Sequence, residues 1–121
     1  MSWQLAFPSD AVPEGGMKLH PVGKRTIGIF RNGGQLRAVL NFCPHAGAPV
    51  CHGKVEHPVF ADTPGGPGRR SEDQLVIRCP WHHWEFDLDT GRSLCPISPR
   101  LKTYAVREED GQIWVDIPGR P

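Results

Sequence analysis

Apolar and polar positions alternate in short runs along this chain, and turn residues interrupt the runs at close intervals. Residues 3–7 read as a first strand, followed by a turn-rich segment over 8–16. Strands at 17–22 and 24–31 flank Gly23. The run Asn32-Gly33-Gly34 predicts a hairpin turn, because Asn and Gly accept positive φ, and 35–41 is its returning strand. Near the other end, 101–107 and 112–117 alternate around Asp110-Gly111. That is a second hairpin, with Ile113, Val115 and Ile117 facing a core. Two shorter strands are predicted at 74–78 and 84–88, the second followed by a turn at Asp89-Thr90-Gly91. Trp114 is assigned to the core.

Composition sharpens this pattern. Gly and Pro supply 14 and 13 of the 121 residues, just short of a disordered composition, while four Trp and five Phe argue for a packed core. The longest stretches free of both, 69–79 and 100–110, leave almost no room for a long helix. The chain therefore reads as all-β and loop-rich, a single domain over 1–121. Segment 57–72, with Pro64-Gly65-Gly66-Pro67-Gly68, is expected to build no packed strand and to form a mobile, solvated surface insertion.

Charge excludes some partners. Fourteen basic and 13 acidic residues give a formal net charge of +1, with no basic block, so nucleic acid is a poor candidate. No apolar run reaches bilayer-spanning length and the N-terminus lacks the pattern of a secretion signal. The expectation is a cytoplasmic protein without a membrane partner.

Four cysteines admit disulfides, a metal or inert buried thiols. Without a secretion signal, disulfides lose most of their weight. The clusters Cys43-Pro44-His45 and Cys79-Pro80-Trp81-His82 each set one Cys and one His on a Pro-containing loop after a predicted strand. Such spacing lets both side chains converge on one centre. Two Cys and two His also suit zinc, although zinc fingers put the cysteines in one arm and the histidines on a helix. A zinc-stabilised interaction module stays open on the residues alone.

The matching stretches Cys43-Pro44-His45-Ala46-Gly47-Ala48-Pro49, Cys79-Pro80-Trp81-His82, Trp84-Glu85-Phe86-Asp87, Thr90-Gly91 and 96–106 resemble the Rieske family, specifically its soluble ferredoxins and ferredoxin-like subunits. The resemblance spans 3–117. It implies an antiparallel β sandwich with a small cluster-binding subdomain at about 42–96, the 57–72 insertion included. It also implies one [2Fe–2S] cluster per chain, Cys43 and Cys79 binding one iron, His45 and His82 the other. The function implied is one-electron carriage from a reductase to an oxygenase or similar redox enzyme, with no catalysis by the chain alone. A small subunit of an assimilatory nitrite reductase is the alternative.

The chain departs from the family's high-potential members. Ala48 and Trp81 stand where those carry a disulfide, and Trp84 and Phe86 where they carry hydroxyl side chains. A potential at the low end of the Rieske range is therefore expected. Cys51 and Cys95 are left over and read as packing residues, although Cys95 lies in a segment resembling the family's third cluster loop. His83 follows the second ligand His, where Gly is most common. His20, His52 and His57 match no ligand position and are expected to be solvated.

Overall fold

The computed structural model describes residues 3–44, 47–57, 59–61, 68–70, 74–80, 85–94 and 100–117, with 59–61 and 68–70 described by backbone pairing alone. Twelve strands are described: β1 Trp3–Pro8, β2 Met17–Val22, β3 Arg25–Asn32, β4 Gln35–Leu40, β5 Lys54–Glu56, β6 Val59–Ala61, β7 Gly68–Arg70, β8 Val76–Arg78, β9 Glu85–Asp87, β10 Thr103–Tyr104, β11 Val106–Glu109 and β12 Gln112–Asp116. All pairings among them are antiparallel. The order β10-β4-β3-β2 forms a central sheet, β1-β12-β11 a second, β5-β8-β9 a third, and β6-β7 a two-stranded ribbon. The all-β expectation holds. No described helix is long and apolar enough to cross a membrane.

Period-two alternation explains the layering. Ile27, Ile29 and Ala38 leave one face of the central sheet and pack with Val12, Ile113, Val115 and Ile117. Phe30 and Val39 leave the other face and join Ile77, Phe86, Leu88 and Leu101 beside the small sheet. Strand β3 is thus buried on both faces, which is why Ile27-Gly28-Ile29-Phe30 is continuously apolar instead of alternating. Both predicted hairpins form. Gly33 and Gly34 have φ of 64° and 76°, and Asp110 and Gly111 have 53° and 74°, the positive values a two-residue turn of this hand demands.

Four expectations are corrected. Segment 57–72 does contain strands: Val59 pairs with Arg70, Phe60 with Arg69 and Ala61 with Gly68. The apolar triplet 59–61 finds a partner across the Gly/Pro run, which separates the strands without abolishing them. The strand predicted at 101–107 is two strands. β10 pairs with β4 and β11 with β12, and the chain changes sheet at Ala105, whose carbonyl accepts the Asp116 N–H at 2.9 Å. Trp114 is only half-buried, because its neighbours Ile113 and Val115 take the inward positions and send it to the outer face. Finally, His20 and His57 are not simply solvated. The ring of His20 meets Phe7 edge-on at 5.8 Å, and burial holds its pKa below the usual imidazole value. His57 Nδ1 lies 2.9 Å from the Gln74 carbonyl oxygen; His52 alone of the three is exposed.

Candidate metal centre

Cys43 lies three residues beyond the end of β4, and Cys79 one residue beyond β8. Both are fully buried and belong to the same apolar cluster, walled by Val39, Ala48, Phe86 and Leu101. The two cysteines are therefore brought into one buried cluster by strands from different sheets. His45 and His82 lie outside the described residues, as do Trp81, His83, Trp84 and Cys95. No group of three or more His, Cys, Asp or Glu is found among the described residues.

The first loop is tightly wound. Cys43 N–H donates to the Ala48 carbonyl at 2.8 Å and Gly47 N–H donates to the Cys43 carbonyl at 2.7 Å. Gly47 has φ 74° and faces the Phe42 ring, on which the Arg25 guanidinium stacks 3.9 Å from the centroid. A short 3-10 turn, Val50–His52, then leads to β5.

Asn41 joins the two ends of this loop to β3, a role the sequence reading missed. Its backbone N–H donates to the Thr26 carbonyl at 2.8 Å, its Nδ2 donates to Thr26 Oγ1 at 3.1 Å, and its Oδ1 accepts the Cys51 N–H at 2.9 Å. An Asn at a strand end, free to bond neighbouring backbone, was the available signal. Asn41→Ala leaves the buried Cys51 N–H without an acceptor, a cost of about 1–3 kcal/mol. Thermal unfolding should fall accordingly, and Asn41→Asp, which keeps the acceptor, should recover much of the loss.

Cys51 is buried with its Sγ 3.7 Å from the Val39 carbonyl oxygen. Desolvation pushes its thiol up to about 12, so it offers no thiolate near neutral pH. Its side chain fills the notch over Gly28, where an added Cβ would stand 2.5 Å from the sulfur. It is a packing residue, as expected.

Beyond β9, Asp87 organises the next turn. Its Oδ1 accepts the N–H groups of Asp89 and Thr90 at 2.8 and 2.9 Å, and its Oδ2 accepts Gln74 Nε2 at 2.9 Å. Burial alone would raise the Asp87 carboxyl, but these hydrogen bonds outweigh it and hold the pKa below the usual value. Arg78, the residue before Cys79, pairs with Glu56 at 2.6 Å and Glu85 at 3.4 Å, tying β5, β8 and β9 across the small sheet.

The donor chemistry fits an iron–sulfur group. Two cysteines on separate loops, fully buried against hydrocarbon, can present sulfur from two sides where water does not compete.

Comparison with known proteins agrees. The family model of the Rieske [2Fe-2S] domain matches residues 2–105. The chain is 32% identical over 114 residues to the 3-phenylpropionate/cinnamic acid dioxygenase ferredoxin subunit of Escherichia coli K12, covering 93% of this chain and 92% of that protein. It is 30% identical over 116 residues to the ferredoxin component of the naphthalene 1,2-dioxygenase system of Pseudomonas aeruginosa, covering 95% of each. Among solved structures, a protein described as the small subunit of an NADH-dependent nitrite reductase from Mycobacterium tuberculosis superposes with TM-score 0.71 at 24% identity, over 94% of this chain and 93% of that one.

Proposed function

The chain belongs to the Rieske [2Fe–2S] domain family, and from that premise we propose that it is a one-electron carrier, the ferredoxin component that passes electrons from a reductase to an oxygenase. The observation carrying this reading is the burial of Cys43 and Cys79 in one apolar cluster. Sequence identity of 32% and 30% to two dioxygenase ferredoxins supports the choice of system. The likeness to a nitrite reductase small subunit is one of fold and gives no reason to prefer that role.

In this reading Cys43 and Cys79 supply thiolates to one iron, and His45 and His82 supply ring nitrogens to the other. The bound group supplies a formally neutral centre when oxidised, since two thiolates and two sulfides balance two ferric ions. The chain's own work is to hold the thiolates dry and fixed. The short loop closed by Cys43, Gly47 and Ala48 and the Asn41 clasp do this on one side; the β5-β8-β9 sheet does it on the other. The segment 42–96 is then the cluster-binding part of a single domain working in the cytoplasm with protein partners. It needs no substrate pocket of its own.

Measuring iron, acid-labile sulfide and the spin signal of the reduced protein tests the reading. Two irons and two sulfides per chain are expected; a colourless zinc protein overturns it. Electron transfer from a dioxygenase-system reductase then separates carrier from bystander.

The potential follows from the surroundings. Ala48 and Phe86 are fully buried and carry neither a disulfide partner nor a hydroxyl donor. Without such donors the reduced form gains little, so redox titration should give a midpoint near about −150 mV, the low end for Rieske centres. A midpoint well above zero would refute the argument.

A further inference from the structure

Although the net charge is only +1, the charges of the described residues are unevenly placed. At the turn end, Ser9 N–H donates to the Gly111 carbonyl at 2.9 Å, and the Gly33 and Gly34 amides donate to the Glu14 carboxylate at 2.6 and 2.8 Å. Arg31 reaches from β3 to Glu108 at 2.9 Å. These contacts gather the exposed carboxylates of Asp10, Glu14, Glu108, Glu109 and Asp110. Against them stand Arg31 and Arg107, engaged by Glu108 and Glu109, and Lys18, which lies over the Phe7 ring.

The opposite end carries the two cysteines and the opposite sign. Arg25 stacks on Phe42, the residue before Cys43, and Lys24 precedes it. The Lys102 carbonyl accepts the Leu40 N–H at 2.9 Å, which puts Lys102 beside the start of the same loop. Lys54 pairs across β5–β8 with Arg78, the residue before Cys79. Lys24, Arg25, Lys54 and Lys102 are all exposed. The described carboxylates nearby, Glu56 and Glu85, are half-buried and share Arg78, and Glu56 also meets Lys54 at 4.0 Å. Among the described residues, Lys24, Arg25 and Lys102 are therefore the cations there with no carboxylate against them.

Distance decides which charge a partner meets. From Thr26 to Asn32, β3 spans about 20 Å at ~3.3 Å per residue. The screening length at physiological salt is about 8 Å. A body approaching the cysteine end therefore feels the local cations and hardly feels the far carboxylates.

We propose that the end bearing Cys43 and Cys79 docks a redox protein through an acidic face of that partner, with the carboxylates of the turn end turning the chain away from the wrong approach. The proposal rests on the reading of those cysteines as cluster ligands. The described cations lie beside the start of the Cys43 loop and opposite Arg78, so attraction there raises the encounter rate in the productive orientation.

The test uses the reduced holoprotein in stopped flow with two one-electron oxidants. Hexacyanoferrate(III) is a trianion and tris(1,10-phenanthroline)cobalt(III) a trication; in each the metal ion takes the single electron the reduced protein loses. Raising the salt should slow the anion several-fold and speed the cation. In the double variant Lys24→Glu/Lys102→Glu, the rate with the anion at low salt should drop about tenfold and converge with wild type at high salt. Glu108→Lys/Glu109→Lys should change it little. Equal salt response with both oxidants, or an effect of the turn-end variant as large as that of the lysine variant, overturns the proposal while leaving the carrier reading intact. A wild-type chain that binds no cluster defeats the carrier reading first, and this proposal with it.

Discussion

Cys43→Ser and Cys79→Ser should each give protein with at least about tenfold less bound iron, no visible absorption from the cluster and no spin signal on reduction. Loss of an outer-shell partner alone typically costs 10–100-fold in metal affinity, and removing a direct donor costs more. Serine keeps the size of the side chain, but its hydroxyl does not ionise as a thiol does, so one ferric charge is left unbalanced at a buried position. His45→Ala and His82→Ala should have the same outcome, whereas His83→Ala should keep its cluster. Cys51→Ala is the sharpest control. That thiol is as buried as the other two, yet it sits in the Gly28 notch with its pKa pushed up to about 12, so its removal should lower stability and leave the spectrum unchanged. If Cys51→Ala bleaches the protein and Cys43→Ser does not, the donor set is wrong.

The sequence made the hairpins legible because their chemistry is local. Asn32-Gly33-Gly34 and Asp110-Gly111 impose positive φ whatever surrounds them, and the alternation of Ile113, Val115 and Ile117 names the inward face without reference to a partner. What was not legible depends on a partner. Lys54-Val55-Glu56 has a single apolar residue and no period to read; it is a strand because Arg78, Ile77 and Val76 lie opposite it. Likewise 59–61 and 68–70 are strands because they meet each other. The break at Ala105 answers to two sheets at once, and nothing in the local sequence marks it. The same division runs through the candidate site. The Cys and His spacing singled out Cys43 and Cys79, which share one buried cluster, but the Asn41 clasp and the fit of Cys51 over Gly28 join residues 10 to 23 apart in sequence. Only a glycine inside an apolar strand run hinted that another group comes close there.

A close approach of backbone to backbone likewise gives Gly53→Ala a large expected loss of stability. Gly53 has φ −77° and ψ 178°, a conformation alanine adopts without strain, so backbone preference predicts almost nothing. Packing predicts the reverse. An added Cβ would overlap the carbonyl oxygen of Arg78 and crowd the Val50 carbonyl oxygen at 3.0 Å. Neither is the tip of a flexible side chain, so a strand must move, and Arg78 leads directly into Cys79. Overpacking of this kind costs about 1–3 kcal/mol and occasionally more, and we expect the upper end, a fall in melting temperature of roughly 10 °C. Gly34→Ala provides the contrast. Its φ of 76° is unfavourable for alanine, yet nothing lies within 4 Å of the added carbon. The cost there is backbone strain alone, about 1–2 kcal/mol, and the metal end is untouched. The two variants should therefore separate in a second measurement. On dilution into chelator, Gly53→Ala should lose its iron several-fold faster than wild type, while Gly34→Ala should lose it at the wild-type rate. Equal iron release from both would mean that the contact between the 3-10 turn and β8 does not hold the second cysteine in place.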